Sequence, residues 1–195
     1  MKRAIQELGP SGFPFEDFVA EIFKLQGYLT EVRTILSGKC ISHEIDIIAQ
    51  KNGEKYMVEC KFHNDKGTKS DVHASLYTKA RFDDLKDKNN LDQAWLVTNT
   101  KVTQDALAYA LCENMKIISW DYPENESLRY LIETLGLHPI TALTTLSQNQ
   151  KQILLENHIV HCKAICENPT VISILNLPKE KTEEVISEAK YICSF

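Results

Sequence analysis

Two strand-like runs, Ser42-His43-Glu44-Ile45-Asp46-Ile47-Ile48-Ala49 and Tyr56-Met57-Val58-Glu59-Cys60-Lys61-Phe62-His63, flank an Asn52-Gly53 pair. Both are rich in β-branched or aromatic residues, and Asn-Gly between such runs marks a tight hairpin. Strand side chains alternate between faces, so Glu59, Lys61 and His63 share one face. Asp46 sits between Ile45 and Ile47, where an ionised carboxylate is costly without a partner or a metal. The hairpin brings it beside Glu59. Two carboxylates next to an ammonium form a small oxygen-rich site suited to a hard cation, Mg²⁺ or Mn²⁺. Lys61 is then placed to orient an attacking water or to offset charge developing on a phosphate.

Upstream, Phe15, Phe18, Val19, Ile22 and Phe23 follow the i, i+3, i+4, i+7, i+8 spacing of an amphipathic helix over Phe13 to Gln26, with Gly27 as its stop. Glu16 borders the buried stripe of that helix. Taken alone, it is a first-turn acid favoured by the helix dipole. Thr30 to Leu36 reads as a strand, and Asn64 to Ser70 as a polar loop that can approach phosphates. A helix is expected from Asp71 to Lys86, carrying Lys79 and Arg81, and a strand from Leu91 to Thr98. The continuous apolar run Ala94-Trp95-Leu96-Val97 in that strand suits burial on both faces. Thr103 caps a further helix, Met115 to Trp120 is the last strand, and Leu128, Leu131, Ile132 and Leu135 mark another helix. The order predicts an α/β fold, a mixed central sheet flanked by helices.

Beyond Gly136-Leu137-His138-Pro139 the strand pattern stops, so the chain is divided into residues 1–138 and a small all-α subdomain, 139–195. Helices are expected from Ser147 to Leu155, after Asn168-Pro169, and from Lys179 to Cys193. The break Leu175-Asn176-Leu177-Pro178-Lys179 looks like a helix-hairpin-helix turn, a unit that offers backbone N–H groups to phosphates; packing or dimerisation is the alternative use. Met1 to Gly12 reads as a short lead-in.

No apolar run approaches a membrane span, and the N-terminus lacks a signal-peptide core, so a cytoplasmic location is the default. A net charge of −5 excludes a generally basic nucleic-acid binder but not a local basic surface around a metal-screened site. The cysteines at 40, 60, 112, 162, 166 and 193 include no Cys-x-x-Cys pair and read as reduced, buried thiols. A zinc site from His158, His161, Cys162, Cys166 and Cys193 is the alternative, although its spacing fits no common zinc pattern.

At Asp46 and Glu59-Cys60-Lys61 the chain resembles the PD-(D/E)XK nuclease superfamily, most closely its Mrr-like restriction endonuclease branch. Gly12-Phe13-Pro14-Phe15-Glu16, Gly27-Tyr28 and Ala94-Trp95-Leu96-Val97-Thr98-Asn99-Thr100 add to the match, which covers most of the first two thirds of the chain. His43-Glu44 depart from it, standing where relatives often have small residues. The resemblance implies a Mg²⁺-dependent deoxyribonuclease of the restriction or defence type. Asp46, Glu59, the Cys60 carbonyl and Glu16 would hold the metal; Asp46, Glu59, Lys61 and Glu16 would be the catalytic set. It points to Lys69, Lys79 and Arg81 as phosphate contacts, with His63 bordering the site. Some similar proteins carry an ATP-cone domain before the same Gly-Pro-Ser-Gly-Phe stretch, for which the present lead-in leaves no room. Double-stranded DNA is the expected partner, and cutting both strands with one site per chain favours a homodimer. A non-catalytic nucleic-acid-binding module or a regulatory subunit that keeps the fold is the competing reading.

Overall fold

A computed structural model describes residues 1–65 and 67–194. Lys66, in the polar loop, lies outside the described residues.

The hairpin forms as its residues dictate. Strands β2 (Ser42–Lys51) and β3 (Glu54–Lys61) pair antiparallel from Lys51↔Glu54 to Ile47↔Val58. Asn52 and Gly53 both take positive φ, 55° and 88°, as a two-residue hairpin turn requires. Strand β1 (Leu29–Ser37) adds antiparallel to β2, while β5 (Gln93–Thr98) and β7 (Lys116–Ile118) continue the sheet in parallel beyond β3, giving the order β1-β2-β3-β5-β7. This is the expected mixed sheet. Two short strands that periodicity does not reveal, β4 (Lys69–Ser70) and β6 (Lys101–Val102), pair with each other beside it.

Helix α2 (Phe13–Leu25) buries Phe15, Phe18, Val19, Ile22 and Phe23 on one face of the sheet, against Ile47, Val58, Trp95 and Val97. Helices α3 (Val72–Asn89) and α4 (Gln104–Cys112) cover the other face, where Phe82, Leu85 and Ala110 meet Ile45, Ile48, Met57, Ala94 and Leu96. Trp95 and Val97 face one core while Ala94 and Leu96 face the other, so β5 is apolar throughout because both its sides are covered. The lead-in is more structured than its composition suggests: α1 (Lys2–Gln6) and the turn after it bury Ile5 and Leu8.

After α5 (Leu128–Leu135) the chain is helical. It runs through a 3₁₀ turn at Ile140–Ala142, then α6 (Gln148–Glu156), α7 (Cys162–Glu167), a 3₁₀ helix at Pro169–Leu175 and α8 (Lys179–Cys193). Ser147 and Gln150 close a capping box on α6. The segment opened by Asn168-Pro169 is 3₁₀ rather than α, and α7 is too short to produce a visible apolar stripe. Residues from Leu143, Leu154, Val160, Ile165 and Val185 belong to the same apolar core as α2, so the proposed division near residue 138 runs between two parts that share a core.

Two histidines tie this region to the outer side of α2. His158 Nδ1 lies 2.8 Å from Asp17 Oδ2. His161 Nδ1 accepts from the Ala164 N–H, which leaves the ring proton on Nε2, 3.7 Å from Glu21 Oε2. His161 first, and then Lys24, hold the Glu21 carboxyl down to about 2. Glu21 is therefore expected to contribute stability that is present above the ordinary carboxylate pKa and lost as pH falls toward 2. With a third of the side chain solvated, Glu21→Gln should cost about 1 kcal/mol at pH 6 and only a small fraction of that near pH 2.5. Urea midpoints at the two pH values measure this; an equal cost at both would remove the charge argument.

The cysteines divide by exposure: Cys162 is buried, Cys60, Cys166 and Cys193 are half-buried, and Cys40 and Cys112 are exposed. The buried-thiol expectation holds fully only for Cys162. Among the described residues no group of three or more His, Cys, Asp or Glu side chains is set to hold a metal, the alternative zinc set included. His158 and His161 instead face Asp17 and Glu21. No helix among the described residues is long and apolar enough to cross a membrane.

Candidate active site

The β2–β3 ladder stops at Ile47↔Val58, one pair before Asp46 would meet Glu59. Past that point the strands part, and the Cys60 N–H donates to Asp46 Oδ2 at 2.7 Å. The carboxylate thus satisfies a main-chain donor that the ladder no longer serves. Glu59, Lys61 and His63 line one cleft of about 690 Å³, as their common parity requires, with Lys69, Ser70 and Tyr77 on its other side. Lys61 forms no ion pair among the described residues and is exposed within the cleft.

Asp46 owes its position to a break in the alternation of β1 and β2. Val32 and Ile47 pack on the α2 side, whereas Leu36 and Ile45 pack on the α3 side. Between them stand Arg33 and Asp46, absent from the Cα pairing, with Arg33 at φ 51°. A residue other than Gly or Asn in that region is uncommon, and such interruptions re-aim side chains as β-bulges do. Arg33 uses the turn to reach α2: Nη1 lies 3.0 Å from Glu16 Oε2 and Nη2 2.6 Å from Asp17 Oδ1. Glu16 is 8% exposed, so the expected borderline position is in fact a buried one.

The opposite helix supplies a second guanidinium. Arg81, on α3, donates to the Glu59 carboxylate and to the Glu44 carbonyl, and its plane lies 5.2 Å from the Tyr77 ring. Its Nε is buried without a hydrogen-bond partner among the described residues. Arg81 therefore stands inside the site rather than on a solvated face. Lys79 points elsewhere, bridging Asp83 at 2.5 Å and Glu113 at 3.0 Å, beside α4. Of the named phosphate candidates, Lys69 and His63 are the two that line the cleft.

His63 is held by its backbone and its ring. Asn99 bonds both main-chain groups of His63 at 2.9 Å, extending the β3–β5 pairing with a side chain. The ring Nε2 meets Ser70 Oγ at 3.0 Å, and Ser70 meets Thr98 Oγ1 at 3.0 Å in a buried hydroxyl chain. Burial, then the neighbouring Lys61 charge, lowers the His63 pKa from its ordinary value. His43, whose role the sequence leaves open, pairs with Asp84 at 3.0 Å; the same carboxylate accepts the Cys40 and Ile41 N–H groups and ties the β1–β2 turn to α3.

The carboxylates act on one another. Burial, then the Asp46 charge, pushes Glu59 up to about 7 against the pull of Arg81 and Lys61. Burial and Asp46 also push Glu16 up to about 7, against Arg33. Asp46 itself is raised by burial, with the Cys60 N–H opposing. The Cys60 thiol is pushed well above its usual range, by desolvation first and then by the charges of these three acids. Desolvated carboxylates that raise each other's proton affinity form a site that seeks positive charge. Its donor chemistry, carboxylate oxygens and a main-chain carbonyl, fits a hard divalent cation. As placed, Glu59 and Glu16 meet that demand with Arg81 and Arg33. Arg33 is the residue that periodicity does not find; its one signal is a charged residue in the otherwise strand-like run Thr30 to Leu36.

Comparison with known proteins identifies the family. Residues 9–125 match the family model described as Restriction endonuclease, of the Mrr catalytic type, and residues 138–193 match the model AF1548-like, C-terminal. An uncharacterized protein of Archaeoglobus fulgidus is 35% identical over 175 residues, spanning 89% of this chain and 99% of its own length. The crystal structure of AF1548, a protein of unknown function, superposes with a TM-score of 0.82 at 34% identity, covering 94% of this chain and 99% of that one.

Proposed function

Because the chain belongs to the Mrr-like restriction-endonuclease family and carries the AF1548-like C-terminal region, we propose that it is a divalent-metal-dependent endonuclease hydrolysing DNA phosphodiester bonds. The observation that carries this reading is that Glu59, desolvated and raised by the charge of Asp46, which also raises Glu16, lines one cleft with Lys61, an ammonium with no ion pair among the described residues. Asp46, Glu59 and the Cys60 carbonyl would hold Mg²⁺ or Mn²⁺, with Glu16 assisting. When bound, the ion supplies Lewis acidity to the phosphodiester. Lys61 orients the attacking water and offsets charge growing on the phosphate oxygens. Lys69, across the cleft, and His63, on the Lys61 side, position the phosphate. A restriction or defence role, double-stranded DNA, a pair of chains for a two-strand cut, and a cytoplasmic location complete the proposal.

One observation favours a second reading: Arg81 and Arg33 already neutralise Glu59 and Glu16, as in a fold retained for binding nucleic acid without cutting it. The two readings separate in a cleavage assay on supercoiled, linear, methylated, branched and single-stranded DNA with Mg²⁺ or Mn²⁺. Cleavage that chelation abolishes is expected. DNA bound but uncut by the full panel would select the binding module.

A further inference from the structure

Helices α7 and α8 lie against each other, and where they meet the Sγ atoms of Cys166 and Cys193 are 3.0 Å apart. We propose that these two cysteines form a reversible intramolecular disulfide that staples the last helix to the body of the C-terminal region. Closing a bond of about 2.05 Å asks for a further approach of about 1 Å, within the reach of side-chain rotation. Both thiols are half-buried, which leaves them open to a small oxidant, whereas Cys40 and Cys112 are exposed and Cys60 lies among the site acids. The third nearby thiol, Cys162, is buried and donates to the Pro139 carbonyl at 3.4 Å, so it does not compete.

The staple would enclose a specific part of the fold. The chain between the two cysteines holds the 3₁₀ helix Pro169–Leu175, Asn176 in the left-handed region at φ 47°, Pro178 and nearly all of α8. The segment has few buried anchors: Ile172, Val185 and Ala189 are the residues it commits fully to the core. A crosslink there replaces packing that the short helices do not provide, and it restrains the hairpin-like turn that Asn176 shapes.

The chemistry needs an oxidant, and a low-molecular-weight disulfide suffices. The thiolate of one cysteine attacks a sulfur of the small disulfide, forming a mixed disulfide and releasing one small thiol. The second cysteine, losing its proton, attacks the protein sulfur and releases the other small thiol. Two protein thiols are oxidised and one small disulfide is reduced to two thiols. Burial and the neighbouring Cys166 hold the Cys193 thiol up at about 12, so exchange is slow rather than prevented.

The test uses the full chain, reduced and then equilibrated with oxidised glutathione. In a Cys40→Ser/Cys112→Ser background, which removes the exposed thiols that would form mixed disulfides, the reduced protein should titrate with four thiols and the oxidised form with two. Peptide mapping should join Cys166 to Cys193, and the unfolding midpoint should rise by roughly 5–10 °C, the scale for a loop of this length. Cys193→Ser and Cys166→Ser should abolish both changes. Peptide mapping on the parent needs no variant, so a variant that misfolds leaves the test intact. A crosslink to Cys162 or between chains, no loss of thiols, or an unchanged midpoint on oxidation would overturn the proposal. So would one equivalent of zinc held by the reduced protein and lost in both serine variants.

Discussion

Lys61→Ala is expected to slow single-turnover cleavage by about a hundredfold or more while leaving Mn²⁺ affinity largely in place. The structure gives the reason for the split. Lys61 stands in the cleft with no ion pair among the described residues, so its removal breaks no packing and opens no acid to a new partner. Asp46→Asn and Glu59→Gln should behave in the opposite way. Each removes a charge from the acid cluster while nearly keeping shape, so metal affinity falls and cleavage falls with it. DNA binding should persist or tighten as carboxylate–phosphate repulsion is relieved. Glu59→Gln also leaves the Arg81 guanidinium with a neutral partner, whereas Asp46→Asn weakens acceptance from the Cys60 N–H; of the two, Asp46→Asn should disturb the strand ends more. Calorimetric Mn²⁺ titration beside single-turnover cleavage reads all three. A Lys61→Ala protein that cuts like the parent would make Glu59-Cys60-Lys61 a charged strand and nothing more.

Ending the chain after Pro139 should abolish cooperative folding rather than release an autonomous nuclease core. The sequence alone suggests the reverse, because strand patterning stops there and the remainder reads as an appendage. In the structure Leu143, Leu154, Leu155, Val160, Ile165 and Val185 fill one core with Phe15, Phe18, Ile22, Leu131 and Ile5. The junction is also polar: Thr141 donates to the Ala4 carbonyl, and the buried Lys151 ammonium donates to the Thr141 carbonyl at 3.0 Å. Each large apolar side chain returned to water forfeits about 1.5–3 kcal/mol. Five or six such losses equal the whole net stability of an ordinary domain, about 5–15 kcal/mol. Urea unfolding of the fragment 1–139, followed by tryptophan fluorescence, decides the matter. A single sharp transition near the parent's midpoint would restore an independent first part, and DNA binding by the fragment would then assign the tail's contribution.

Local chemistry was legible without the fold. The Asn52-Gly53 turn, the parity of Glu59, Lys61 and His63, the Thr103 and Ser147 caps, the stop at Gly27 and the two-sided burial of β5 each depend on residues a few positions apart, where steric and hydrogen-bonding rules act directly. The candidate acids were legible for the same reason: a carboxylate between isoleucines and an acid-x-lysine step are local anomalies. What the acids touch was decided only in three dimensions. Arg33 reaches Glu16 across 17 positions, Arg81 reaches Glu59 across 22, and Asp84 gathers His43 and the β1–β2 turn across more than 40. Such contacts exist because buried charge must be paired wherever the packed layers happen to bring a partner, and a linear pattern carries no record of which element that will be. The extent of the core was likewise a tertiary outcome. Short helices such as α7 have too few apolar residues to announce a face, and they become part of the protein by covering surface that α2 and α5 leave exposed.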